Sequence, residues 1–468
     1  MSAATVTAPL ARWVARAPRI RRPRAIALAK DAFKDIAACM LAGATDDATR
    51  RVARAASRWG TGPCSVVGHA MRLPAPAAAL VNGTAAHALD YDDNFHPMAG
   101  HATAVLAPAI LAVAEELGSP GHAVLDAYVV GLEAQAWVGA GVNLVHYERG
   151  WHSTSTIGVF GAAAACARLR GLDAAGVTAA LSLASSMAGG SKRQFGTMAK
   201  PLHAGLAAQH GVMAAALAAT GVTGIAEPLE GPWSFRDLFA GAASPGYAKR
   251  KPGNPLAIEA FGLKVKIHPC CASVHCAVDA LLSLRREHGF DAGDVERVDV
   301  LVNRMSYDNL PYARPRTELE ARFSMHWCIA LALAQGRLGL ADFTPTALRR
   351  EDLRTLLPLI AMSHTRPGKP HPLKDNGREP ASVTVRLKDG RSLSRYAQHP
   401  RGSLQAPLGP GALDDKFEDC APGRLALRRM LEALGGAATV RPLMRALRRA
   451  PPRRRLPSAS RAARGRLR

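Results

Sequence analysis

A mainly α protein, with a large all-helical domain and a smaller α+β domain, is what this 468-residue sequence predicts. Between residues 26 and 220, long alanine-rich segments keep apolar residues at helical spacing, separated by Gly, Pro and short polar loops. Around residues 242–256 the composition shifts to Gly, Pro and Lys, which marks a linker. Beyond it, sustained strand-like alternation appears at 295–302 and again at 383–396.

Residues 1–24 are basic and poorly patterned and predict a tail. In residues 26–41, Ile26, Phe33, Ile36, Met40 and Leu41 fall near one helical face, and Gly43 supplies a stop. Thr45 and Asp46 are capping residues for a helix running toward Trp59. Cys64 to Val67 is extended. Small-residue helices follow at 76–89, 102–117 and 122–142, then at about 156–169, at 173–187 with Asp173 as cap, and at 202–220. Their alanines and glycines let helices approach closely, which predicts tight packing. After the linker, 273–287 and 318–335 read as helices, and Asp389-Gly390 turns a hairpin. Helical patterning returns at 411–437. The predicted organisation is a basic tail at 1–24, a helical domain at 25–255 completed by 406–448, an α+β domain at 256–405, and a disordered arginine-rich tail at 449–468.

The net charge of +23 invites a nucleic-acid partner, but its distribution argues against one. Residues 1–30 carry seven basic residues and 440–468 eleven, with no acid in either, which leaves only +5 for the 409 residues between. Both basic ends read as disordered tails with at most weak affinity for polyanions. Aromatic content of 5% leaves few stacking platforms for single strands. No apolar run is long and clean enough to span a membrane, and no apolar signal core follows the N-terminal arginines, so the expectation is a soluble, cytoplasmic protein. The eight cysteines have neither the context of disulfides nor metal-ligand spacing.

Four polar loops interrupt the helical surroundings. The first, residues 87–101, holds His87, Asp90, Asp92, Asp93, Asn94, His96 and His101; the plain alternative is a surface loop with solvated acids. The second holds His152, Ser153 and Thr154. The third holds Lys192, Arg193, Gln194, Lys200 and His203, and the fourth Lys264, Lys266, His268 and His275. Converged, they make a cationic pocket with acid–base groups, suited to a small di- or tricarboxylate. No phosphate-binding glycine loop, dinucleotide fingerprint, nucleophile elbow or zinc-protease helix is present. A metal site from His87, His96, His101 and Asp90 lacks ligand spacing on one element, so no metal is expected.

The loops also carry a resemblance. Asp90-Tyr-Asp-Asp-Asn-Phe-His-Pro with Gly100-His101, Gly150-Trp-His-Ser-Thr-Ser-Thr-Ile-Gly, Gln194-Phe-Gly-Thr-Met-Ala-Lys-Pro-Leu-His-Ala-Gly and Lys264-Val-Lys-Ile-His-Pro-Cys-Cys-Ala-Ser-Val-His resemble, in order and spacing, four signatures of the MmgE/PrpD family. That family includes 2-methylcitrate dehydratase, cis-aconitate decarboxylase and an iminodisuccinate epimerase. The resemblance implies a homodimer, an active site between the two domains, and chemistry without a metal, iron–sulfur cluster or other cofactor. It implies pocket residues Asp90, Asn94, His101, His152, Lys200, Lys266 and Tyr312; the third polar loop itself adds Arg193 and His203 as candidates for substrate binding, against ordinary surface or supporting roles. Asn94 stands where relatives often have threonine, and one extra residue sits between His96 and His101. The reading is then a lyase, with dehydration of a 2-methylcitrate-like acid foremost and decarboxylation of cis-aconitate or epimerisation as alternatives. His101, oriented by Asp90, would take a proton alpha to a carboxylate. Lys200 and Lys266, with Arg193, would hold carboxylates, and His152 or Tyr312 would protonate the departing hydroxyl. A reading of another class is a non-catalytic binding protein whose basic tails recruit it to polyanions.

Overall fold

A computed structural model describes residues 5–247, 251–365 and 379–449. The predicted arginine-rich tail at 449–468 lies almost wholly outside the described residues.

Two hydrophobic cores organise the chain. The first joins the helices Pro23–Gly43, Ala75–His87, Thr103–Leu117, Gly121–Ala140, Gly158–Leu169, Ala174–Ser186 and Ala199–Ala219, and it takes in the returning helices Ala412–Cys420, Leu425–Glu432 and Arg441–Leu447. The second is built from residues 270–387. There a four-stranded sheet runs in the order Ile360–His364, Val295–Val302, Ala381–Leu387, Ser392–Ala397. The first pair is parallel and the other two antiparallel, with Val298 opposite Ile360 and Val300 opposite Val383. Helices Ala272–His288 and Met325–Gln335 pack on each other, the first also against the last two strands and the second against Ile360–His364. No helix among the described residues is long and apolar enough to cross a membrane.

The sequence reading needs three corrections. The N-terminal stretch is not a tail throughout: Thr7–Arg16 is a helix that buries Leu10, Ala11 and Val14 in the first core. Glu230 caps it, accepting from Val6 N at 2.6 Å and Thr7 N at 3.0 Å, and Arg168 donates to the carbonyls of Val14 and Ala17 at the other end. The helix expected over 318–335 is broken, because Ser324 leaves helical geometry to cap Met325–Gln335 by accepting from Trp327 N. The strand Ile360–His364 was not expected; it is five residues long and has no clear alternation.

Two close approaches set the site. Gly83 and Gly205 let Ala75–His87 and Ala199–Ala219 pack backbone to backbone: a Cβ on Gly83 would lie 2.8 Å from the Cα of Gly205. One helix leads into the first polar loop and the other starts at the third, so this contact brings Asp90 and Lys200 together. From behind, Lys416 of Ala412–Cys420 donates to the carbonyl of Tyr91 at 2.7 Å and pairs with Asp35 at 2.6 Å, both side chains being almost fully enclosed. Breaking such a buried pair leaves one charge uncompensated. Lys416→Met is therefore expected to lower the unfolding free energy by about 3–5 kcal/mol, read as an earlier denaturant midpoint; an unchanged midpoint would contradict it.

Candidate active site

The first polar loop uses its three aspartates for three jobs. Asp93 receives the start of helix Thr103–Leu117, accepting from Thr103 N at 3.3 Å and from the Thr103 hydroxyl, and burial pushes its carboxyl up to about 7. Asp92 sits between two imidazoles: His87 Nδ1 is 3.0 Å from it and His101 Nδ1 2.9 Å. Asp90, in the left-handed backbone region at φ 50°, turns its Oδ1 to Lys266 Nζ at 2.6 Å and Lys200 Nζ at 3.0 Å. Burial pushes the Asp90 carboxyl up, but the two ammonium groups outweigh it and hold it well below the ordinary range.

The carboxylate nearest a ring nitrogen of His101 is thus Asp92, 2.9 Å from Nδ1, and not the expected Asp90. Asp90 is 3.7 Å from the other ring nitrogen, Nε2, which also has Asn94 Nδ2 at 3.5 Å. Burial pushes the His101 imidazole down to about 3. It is neutral at physiological pH, with Nδ1 toward a carboxylate and Nε2 on the cavity side.

That cavity, of about 170 Å³, lies where the two cores meet. Asp90, Asn94, His101, His152 and Lys200 line it from the helical side, and Lys264, Cys271, Asn309, Phe323 and Glu379 from the other. His152 is backed by His203, with 3.0 Å between their Nδ1 atoms. Lys200 is enclosed against Phe195 and Phe323; burial lowers its ammonium pKa, Asp90 partly offsets this, and Lys266 adds to it. Lys266 differs: burial pushes it down, but Asp90 and Asp92 together outweigh burial and raise it. One cation is the permanent counter-ion of Asp90. The other, Lys200, is the one that an incoming carboxylate would complete.

Four expected contact residues are not on the cavity wall. Lys266 is fully enclosed and acts through Asp90. His203 stands behind His152. Tyr312 donates its hydroxyl to the Phe195 carbonyl at 3.0 Å, and Arg193 is exposed in a short turn that points no charge into the cavity lining. Sequence reasoning missed Asp92 as the carboxylate beside His101, and Tyr147, Asn309 and Glu379 altogether. Tyr147 lies three residues before the Gly150-Trp-His signature, a signal that was there to use; Glu379 is a single acid before a strand, with none.

The ligating atoms of His87, Asp90, Asp92 and His101 all lie within 4.8 Å of one another, close enough for a cation. Their donor set is already engaged. Two ammonium groups share Asp90 Oδ1, and both histidines direct Nδ1 at Asp92. The eight cysteines are free and buried.

Burial lowers eight histidines (His87, His101, His146, His152, His203, His210, His275 and His326) and raises four aspartates (Asp31, Asp35, Asp46 and Asp93). A histidine lowered on folding binds its proton more readily in the unfolded chain. Its stabilisation is present above the ordinary 6.5 and is lost as pH falls toward the folded value. The raised aspartates act in the opposite sense but are fewer. The melting temperature should therefore fall between about pH 7 and about pH 5; a calorimetric series showing a rise would contradict this.

The comparisons with known proteins agree with this architecture. The family model described as the MmgE/PrpD N-terminal domain matches residues 8–248, and the MmgE/PrpD C-terminal domain matches 268–435. Human cis-aconitate decarboxylase is 30% identical over 74% of this chain and 73% of its own length. A cis-aconitate decarboxylase-like protein of Aspergillus oryzae is 28% identical over 91% and 92%, and the cis-aconitate decarboxylase of Aspergillus terreus 25% over 77% of each. With both domain models covering most of its length, the chain belongs to the MmgE/PrpD family.

Proposed function

We propose that this protein is a lyase for a small polycarboxylate and that it moves a proton at His101 Nε2 beside a carboxylate held by Lys200. The observation that carries the reading is the pairing in one cavity of a neutral imidazole, set 2.9 Å from the Asp92 carboxylate, with a buried ammonium that shares its Asp90 partner with Lys266. A bound substrate carboxylate at Lys200 adds negative charge next to His101 and raises its proton affinity from the low resting value. The ring is thereby brought toward the range in which it can take a proton and return it. Lys200 and the Asn94 amide stabilise the charge that develops on an enolate-like intermediate.

Decarboxylation of a cis-aconitate-like acid is the first reading, supported by the names of the relatives. In it the imidazole first takes up a proton from solvent at Nε2 as the substrate carboxylates bind beside it; the C–C bond to the departing carboxylate then breaks, CO2 leaves, and the electron pair left on carbon takes that proton. Dehydration of a hydroxy acid such as 2-methylcitrate is the second, favoured by hydrogen-bond acceptors on the cavity wall at Asn94 and Glu379. NMR in heavy water with cis-aconitate, citrate, 2-methylcitrate and iminodisuccinate tests both. The expected result is deuterium at a carbon alpha to a carboxylate, with loss of CO2 from cis-aconitate. Neither exchange nor product from any of the four, with folded protein, would overturn the proposal.

A further inference from the structure

We propose that Asn94, Lys264 and Glu379 form a second subsite of this cavity, one that takes a hydrogen-bond donor on the substrate, a hydroxyl or an amine, and not a further carboxylate. The inference rests on the polycarboxylate reading and narrows the substrate class within it, toward a hydroxy or amino acid and away from cis-aconitate, which carries no such donor.

The three residues are joined across the two halves of the molecule. Asn94 and Lys264 exchange both backbone hydrogen bonds, Asn94 N to Lys264 O at 2.9 Å and Lys264 N to Asn94 O at 2.8 Å. The Lys264 ammonium is paired with Glu379 Oε2, while Glu379 Oε1 accepts from the Ser273 hydroxyl at 2.9 Å. Ser273 is itself fixed: Asn309 Nδ2 donates to its oxygen at 3.1 Å, and Asn309 Oδ1 accepts from the Tyr147 hydroxyl at 3.2 Å. Glu379 is therefore part of a built wall. Burial pushes its carboxyl up, but the Lys264 charge and hydrogen bond outweigh it, and the group is ionised.

An ionised carboxylate on the wall of a cavity for polyanions needs a reason. Lys264 is neutralised by Glu379, so a substrate carboxylate reaches it only by displacing a like charge already in place. A donor meets no such opposition. Each Glu379 oxygen keeps lone-pair capacity beyond its one partner. Asn94 Oδ1 is buried with no hydrogen-bond partner among the described residues, and its Nδ2 is 3.5 Å from His101 Nε2. A hydroxyl or amine near the reacting carbon would satisfy these acceptors, and a substrate without one would leave them unpaired at a cost.

The test uses two acids that differ by one hydroxyl, citrate and propane-1,2,3-tricarboxylate, in titration calorimetry on the full chain. Wild type is expected to bind citrate about 10- to 100-fold more tightly, the range for a hydrogen bond to a charged group. Glu379→Gln should bring the two acids within about threefold, mainly by weakening citrate. Should that variant melt early, Asn94→Ala, which leaves the Lys264–Glu379 pair intact, should still narrow the preference. No preference in wild type, or a preference undiminished in both variants, would overturn the subsite and leave the Lys264–Glu379 pair as a brace between the domains. Failure of both acids to bind wild type would instead overturn the polycarboxylate reading, and the subsite with it.

Discussion

His101→Ala is expected to lower turnover by about 100- to 10,000-fold while leaving the fold and most of the substrate affinity in place. The ring has one nitrogen 2.9 Å from Asp92 and the other on the cavity, so its removal deletes the group that moves the proton and spares the lysine that holds the carboxylate. Citrate affinity by calorimetry should change little while turnover collapses, a separation that a folding defect would not produce. The pH profile gives a second check. Where the ring must first accept a proton, as in dehydration, a free-enzyme imidazole held near 3 by burial imposes no loss of kcat/KM as pH falls from about 7 to about 5, although an unperturbed histidine would. Where it must first be protonated, as in decarboxylation, kcat/KM should instead fall as pH rises over that range. Turnover of His101→Ala within a few-fold of wild type would remove His101 from the mechanism.

How much of this was legible in the sequence depended on distance along the chain. Local signals were read well. Asp46 and Asp173 cap helices as their side chains suggest, and the hairpin turns at Asp389-Gly390, with Gly390 at φ 91°. The crowding of polar groups into residues 87–101 pointed to the cavity because buried acids need partners. What failed locally was masked by charge: Arg12 and Arg16 hid the buried stripe of Leu10, Ala11 and Val14, although long arginine stems often flank such a stripe.

Choices among neighbours were not legible. Asp90, Asp92 and Asp93 are alike in composition, and only the left-handed turn at Asp90 decides which faces the lysines and which the imidazoles. Pairings between distant segments were out of reach altogether. Glu379 meets Lys264 across 115 residues and Lys416 meets Tyr91 across 325, and nothing in either neighbourhood names the partner. The residues that hold the loop and shape the far wall were therefore harder to find than those whose motif was itself a cluster.

Lys200→Ala should reduce kcat/KM by about 100-fold or more, the scale seen when a charge-stabilising group is removed. Lys200 occupies the first turn of helix Ala199–Ala219, where the backbone dipole disfavours a cation, and burial disfavours it again. Asp90 alone does not balance this, because Lys266 already claims the same oxygen at 2.6 Å. Three unfavourable features at one ammonium make sense once a substrate carboxylate completes the site, so the variant should lose substrate binding and turnover together. It should also melt no earlier than wild type, since a poorly compensated charge has been removed while Asp90 keeps Lys266. Lys266→Ala provides the contrast: it leaves Asp90 facing Lys200 alone and should destabilise the loop itself. Kinetics and melting curves on the two variants separate the roles. A Lys200→Ala protein with near-normal kcat/KM, or one that unfolds as readily as Lys266→Ala, would show that Lys200 serves the fold and not the substrate.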